Sequence, residues 1–292
     1  MLLRTCEGYS VNEEQLIAQA QHLVTERQHI RTTQQAWRWG MLIIALLVTS
    51  SLVFVLYPLP MPQKLLLAMG GVCGLRPAHS YFAGVTQLPL ESRMIGIYGS
   101  VCITLGWLVL TRRFGAPRLG TWSTTALLGL LFLIMVGDGV NSTLTDMGLP
   151  HSHTSTNLTR IVTGVLSGIP MAIVLAWLIT SVTPSHATRS ASRLVQSPFD
   201  LFAPLSLSAL FGVLVVAQQA WSYALIALLS VSGILMTITG ALFLIVMLMS
   251  GLNRRTMSPH ELILPTSLAL LLALGVLAGT AALRWSFIGQ IS

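Results

Sequence analysis

The sequence predicts an all-α fold: a polytopic helical membrane bundle of about seven transmembrane helices, with an interfacial or re-entrant segment at 64–93. Three observations lead there. Only 9% of the 292 residues are charged and mean hydropathy is +0.76, whereas a soluble domain carries about 25% charged residues. Seven apolar runs approach or exceed the roughly 20 residues a helix needs to cross a bilayer. Lysine and arginine sort between alternate loops: with the N-terminus inside, eleven fall on the inner face and five on the outer, the bias of the positive-inside rule.

The first ten residues read as frayed, and Asn12, Glu13 and Glu14 then mark a helix start with acidic residues in its first turn. Leu16, Ala20, Leu23 and, more loosely, Ile30 recur near helical spacing. Residues 1–38 are therefore read as a cytoplasmic amphipathic segment, lying on the membrane or on the protein's own base, or as an ordinary solvated lead-in helix. The first span is 39–57, stopped by the Pro-rich Tyr57–Pro62. Lys64–Leu75 is too short to span and runs into Arg76, Pro77 and His79. Irregular backbone at that depth must be covered by protein or by a wet cavity.

The remaining spans fall at 94–111, 121–137, 161–182, 200–218, 223–250 and 262–283. Arg112 and Arg113 close the second, and Asp138 closes the third. A Ser-rich link at 183–199 separates a membrane region with polar motifs, 39–183, from an apolar three-span region, 184–292. No internal repeat supports an inverted-repeat transporter. A channel or transporter would also need ionisable residues at mid-span depth, and these spans hold almost none.

The net charge of +7 would raise nucleic acid as a partner for a soluble chain. Here the face bias accounts for most of it, so membrane lipids with anionic headgroups are the expected counter-charge and nucleic acid is not. Cys6, Cys73 and Cys102 have no CxxC spacing and give neither a disulfide framework nor a zinc signature. The first apolar run starts near Trp37 and is long enough to span, so no cleavable signal is read. The expected location is the cell membrane, multi-pass, with the N-terminus cytoplasmic and the C-terminus external.

Arg76, Arg93 and Arg160 are the bulk of the outer-face exceptions, each inside a dense polar motif. Guanidinium forks fit phosphate, pyrophosphate or carboxylate bidentately; ion pairs with Glu91, Asp138 and Asp146 are the competing reading. An acidic residue at the end of a span must be hydrated, paired or ligated, which makes Asp138 a general base, a metal ligand or an arginine's anchor. Arg160 at a helix start opposes the helix dipole and asks for a partner. Asp138 and His79 are the candidate catalytic residues. Arg76, Arg93, Arg160, Tyr98, Asn141 and Asn157 are the candidate substrate-binding set.

His79, His151 and His153 with Asp138 or Glu91 have no diagnostic metal spacing, and no metal or cofactor is assigned. Cys73 as a nucleophile would need an activating base such as His79. Gly164 and Gly168 form a GxxxG, a signal of close helix packing. Asn141-Ser-Thr and Asn157-Leu-Thr fit the glycosylation pattern.

The order of these motifs resembles the membrane-protein family known as domain of unknown function 2085. The residues that carry the resemblance are Cys73, Pro77, His79, Ser80, Leu88, Pro89, Arg93, Gly96, Ile97, Tyr98, Asp138, Gly139, Asn157, Arg160, Thr163 and Gly164, over roughly 70–170. Many members carry Cys-His where this chain has Cys73-Gly74, and Cys-x-Arg-Cys where it has Glu91 to Met94. A thiol-metal or thiol-redox role therefore does not carry over, and Arg, Asp, Asn and Tyr chemistry remains.

Two functions fit. The first is a membrane enzyme acting on an anionic lipid-linked or amphipathic substrate at the external face. There the arginines hold the head, Asp138 is base or ligand, and His79, Asn157 and Tyr98 orient. The second is a non-enzymatic accessory or scaffold subunit of a larger membrane complex, with the polar cluster holding the irregular loop together.

Overall fold

A computed structural model describes residues 10–183, 193–251 and 261–291. Eight α-helices occupy them: α1 (Ser10–Leu56), α2 (Met61–Met69), α3 (Ser92–Leu110), α4 (Trp122–Asp146), α5 (Asn157–Val182), α6 (Phe202–Val216), α7 (Tyr223–Met249) and α8 (Ile263–Ile291). All but α2 are long and apolar enough to cross a membrane, the first through its 34–56 portion and α6 together with the 3-10 turn at Pro198–Leu201 that leads into it. The protein is a multi-pass helical membrane bundle. The first nine residues, the core of the Ser-rich link and the side chains of the expected amphipathic face at Leu16, Ala20, Leu23 and Ile30 lie outside the described residues.

Helices α3 and α5 form the central pair; α6 and α7 pack on both, α4 on α5, α8 on α7, and α1 on α8. Lipid tails are as apolar as leucine, so close backbone approach rather than hydrophobicity must hold such helices together. The glycines supply it. A Cβ at Gly164 would strike the carbonyl oxygen of Arg93, and one at Gly168 the carbonyl oxygen of Ile97 and the hydroxyl of Ser100. From the opposite side, a Cβ at Gly96 would lie 2.6 Å from the Ile161 carbonyl oxygen. Across the next interface, Gly233 of α7 rests on the Tyr98 carbonyl. Ile95, Val101, Ile169, Ile173 and Ile234 fill the space around these contacts and are fully buried.

One end of the bundle carries a cap built from the segment expected to be interfacial or re-entrant. Lys64 in α2 donates to the Val55 carbonyl at 2.7 Å, placing a cation on the unsatisfied carbonyls that end α1. A turn then leads through Leu75, a non-glycine residue at φ +52, and a short 3-10 helix at Pro77–His79 into a two-stranded hairpin, β1 (Phe82–Ala83) and β2 (Thr86–Gln87). The Gln87 amide holds the Leu75 carbonyl at 3.0 Å. The Gly84 N–H donates to Gln218 in the α6–α7 turn at 2.8 Å, and Leu88 and Leu90 plug the bundle completely buried. Arg284 near the end of α8 donates to the carbonyls of Gly70, Cys73 and Gly74. Arg284 thereby satisfies carbonyls that this irregular turn leaves unpaired.

The sequence reading ends the third span at 137 and starts the fourth at 161; α4 instead continues two turns to Asp146, and α5 begins at Asn157. Hydropathy drops at Asp138 because the last turns of α4 are polar. Those turns nevertheless stay helical because their polar side chains find protein partners at the cap.

The α3–α5 contact sets a direct test. Alanine gains up to about 1 kcal/mol over glycine in a helix interior, but forcing a methyl into a filled contact costs about 1–3 kcal/mol. Gly164→Ala and Gly168→Ala should lower the thermal unfolding midpoint in detergent. Gly129→Ala, whose Cβ would meet nothing within 4 Å, should leave it unchanged or raise it.

Candidate functional site

Beneath the cap, four pieces of chain bring their polar side chains together: the 73–91 segment, the first turn of α3, the last two turns of α4 and the first two turns of α5. Arg93 enters from α3. Its Nη2 donates to Asp138 Oδ2 at 2.6 Å, and its guanidinium lies over Gly139, 3.6 Å from where a Cβ would stand. Thr163, two turns into α5, donates to the same Oδ2 at 2.9 Å. One carboxylate oxygen thus joins α3, α4 and α5. Asp138 is only 7% exposed, a burial that a carboxylate tolerates only when paired and hydrogen-bonded. Its other oxygen has no hydrogen bond but faces His153 Nε2 at 3.4 Å.

One turn above sits Asn141, also buried. Its Nδ2 donates to the His153 carbonyl at 2.7 Å, and its Oδ1 accepts from the Ser152 N–H and hydroxyl, both at 2.8 Å. A single amide side chain thereby pins the α4–α5 loop. Arg160, 6% exposed, donates through Nε and Nη2 to the Ser142 hydroxyl and lies 3.6 Å from Asp146. Asp146 also meets Arg76 at 3.2 Å and His79 at 3.7 Å. Arg76 closes the lattice through Glu91 at 3.3 Å. Each of the three arginines therefore has a carboxylate partner, and Asp146 serves two of them.

The remaining candidates divide. Asn157 donates to the carbonyls of Ala78 and Ser80 at 3.2 and 3.4 Å and ties α5 to the cap. The His79 carbonyl accepts from Ser92 at 2.7 Å. Tyr98 is not brought into the cluster; it packs against the apolar cores beside Met94 and Ile97. His151 bonds its own loop at Leu149. Among the described residues no three His, Cys, Asp or Glu side chains gather as metal ligands would: His79 goes to Asp146 and His153 to Asp138. The glycosylation expectation fails at Asn141, which is buried inside a helix with its amide engaged.

Sequence reasoning assigned no role to Ser142 or Ser152, since nothing in a Ser spacing marks an arginine's acceptor, and passed over Thr163 except as a motif letter. The i, i+3 and i, i+4 offsets of Asp138, Asn141, Ser142 and Asp146, all on one face of a helix, are the signal that a longer α4 would have exposed.

Burial pushes the Cys73 thiol up, so it is held as the thiol rather than the nucleophilic thiolate. His79 is pushed below its ordinary value of 6.5, by burial first and then by the Arg160 and Arg76 guanidiniums. The Asp146 carboxylate pulls the other way and is outweighed. At neutral pH His79 is uncharged.

A family model described as Predicted membrane protein (DUF2085) matches residues 73–174, from Cys73 into the second half of α5. The match spans every member of the cluster. No curated protein and no solved structure matches the chain. Gly74 and Glu91 are neighbours in space: a Cβ at Gly74 would stand 2.8 Å from Glu91 Oε1. The missing side chain at 74 makes room for the carboxylate at 91.

Two outcomes follow from this geometry. Asp138→Asn, which strands the Arg93 charge, should cost about 3 kcal/mol. Pairing it with Arg93→Met should recover part of that loss, a coupling of roughly 0.5–3 kcal/mol in a double-mutant cycle of detergent unfolding. For His79, the depressed folded-state value means the unfolded chain binds the proton more readily. The stability its neutral form contributes is full above 6.5 and is lost as pH falls through the lower folded-state value. Unfolding midpoints measured from pH 8 to pH 5 should decline on the acid side, and His79→Gln should flatten that decline.

Proposed function

We propose that this chain is a non-enzymatic membrane protein, an accessory or scaffold subunit of a larger membrane complex, with the arginine–carboxylate cluster serving as the clasp that holds its cap. In this reading the N-terminus is cytoplasmic and the capped end external, which the eleven-to-five split of Lys and Arg favours. One observation carries the clasp. The charges of Arg76, Arg93 and Arg160 are met by Glu91, Asp138 and Asp146 at 2.6 to 3.6 Å. Three cations against three carboxylates leave these six residues no net charge with which to draw an anionic headgroup. α1 and α4 turn large apolar faces away from the bundle, including Leu42, Leu52, Val53, Leu130 and Leu133, which leaves them open to a partner helix as well as to lipid.

A second reading keeps the enzyme. Its support is that Arg76 is half exposed and that Asp138 has one oxygen free of hydrogen bonds beside the half-exposed His153. There Arg76, Arg93 and Arg160 hold an anionic amphipathic substrate, Asp138 or His79 moves the proton, and Asn141 and Asn157 position the loop.

Native mass spectrometry of the protein released from its own membrane in mild detergent separates the two. The clasp-and-subunit reading expects a second polypeptide mass on the wild type and loss of stability in Arg160→Gln. It is overturned if Arg160→Gln unfolds at the wild-type midpoint yet has lost an anionic small molecule that the wild type carries.

A further inference from the structure

Apolar grooves indent the described part of the bundle, among them these three. Two, of about 470 and 500 Å3, flank α6 and are lined by apolar residues alone. The third is different. It has a volume of about 890 Å3 and lies among α3, α5, α7 and α8, towards the end of the bundle opposite the cap. Its depth is lined by Leu105, Leu175, Leu235 and Phe243. Three hydroxyls line it as well. Thr183 closes α5 and Thr266 lies in the first turn of α8, both at the uncapped end; the Thr239 hydroxyl, on α7, has no hydrogen-bond partner.

At the same end α3 stops at Leu110, and the chain turns back on itself, with the N–H groups of Arg113 and Phe114 both donating to the Leu108 carbonyl. Leu110 and Phe114 line the groove, so Arg112, exposed at the tip of that turn with φ +55, stands at its rim. A non-glycine residue at positive φ is held there against its own preference. Arg113 is engaged with Asp200 at 2.7 Å and lies 5.2 Å from the Trp107 ring. Glu261, beside the lining residue Leu262, is also partnered. Arg112 has no ion pair among the described residues.

We infer that this groove is a binding site for one anionic phospholipid, its chains lying between α3, α5, α7 and α8 and its phosphate held by Arg112. The sequence of chemistry along the groove matches that molecule. An apolar floor suits acyl chains, the Thr266 hydroxyl at the mouth suits the glycerol esters (the Thr183 hydroxyl beside it already donates to the Ile179 carbonyl at 2.7 Å), and a guanidinium without an ion pair suits a phosphate. The stretch from Cys102 to Leu110 measures about 12 Å of helix, enough to bury much of a chain. The volume falls within the roughly 300–1,000 Å3 of built small-molecule sites. The flanking grooves lack the hydroxyls and the rim cation. Gly106 gives the groove part of its width: a Cβ there would meet nothing within 4 Å.

The test uses the whole protein in mild detergent, offered equal amounts of phosphatidylglycerol and phosphatidylcholine and read by native mass spectrometry. The wild type should retain one phosphatidylglycerol in at least about fivefold preference, the effect of one basic residue near an anionic headgroup. Arg112→Gln should abolish the preference while still binding lipid. Gly106→Phe, which fills the groove from a position with open space, should lose retention of both lipids. Arg160→Gln, in the separate cluster under the cap, should keep the preference in its folded fraction. Equal retention of the two lipids by the wild type overturns the inference, as does an unchanged preference in Arg112→Gln. If Gly106→Phe does not fold, the Arg112→Gln result decides alone.

Discussion

The contact between Arg93 and Asp138 is the constraint on which the capped end rests. A carboxylate that is almost wholly buried is stable as an ion only while a cation and hydrogen bonds surround it. Here the cation comes from α3, the hydroxyl from Thr163 on α5, and the carboxylate itself from α4. Three helices are thus fixed in register by one pair of charged groups, in a setting where apolar burial between helices gives little drive. The approach that lets the side chains meet comes from glycine: Gly164 takes the Arg93 carbonyl against its own backbone, so the residue that carries the guanidinium is also the residue the helix crossing is built on.

Everything above that pair is held at one remove. Asn141 secures the α4–α5 loop, Arg160 and Asp146 bind the ends of α4 and α5 to each other, and Arg76 with Glu91 draws in the turn of the cap. On the far side Arg284 supplies donors to three carbonyls of the same turn. Beyond α2, the cap has little regular structure of its own: a 3-10 turn and a hairpin of two-residue strands. Its backbone groups are satisfied by side chains from helix ends instead. That arrangement explains why so many polar residues gather at one end of an otherwise apolar chain.

The number and order of the spans were legible because a transmembrane helix announces itself by length and hydropathy alone. The motif order over Cys73–Gly164 was equally legible, and the same stretch carries the family match. Helix ends were not. Hydropathy reports which side chains can face lipid, whereas a helix ends where its backbone loses partners. In α4 the two diverge after Asp138, since Asn141 and Ser142 are polar yet buried against other polar groups. The identities of Arg76, Arg93 and Arg160, Glu91, Asp138 and Asp146 could be read as a balanced set. Their pairing could not: Arg76 and Asp146 are 70 residues apart, and only the crossing of α3, α4 and α5 decides which charge meets which. Tyr98 illustrates the opposite failure. It sits within a motif in the sequence, but it points into apolar packing one turn beyond the polar layer.

Helix α1 runs unbroken from Ser10 to Leu56, and only the 34–56 portion qualifies as a membrane span. The preceding 24 residues, 10 to 33, therefore form a rod of about 36 Å continuous with the embedded part. A rod of that kind behaves as a lever. Tilting the span by about 10° would carry its far end through about 6 Å. Turning the span about its axis would turn the tip by the same angle, because the backbone hydrogen bonds leave no joint between them.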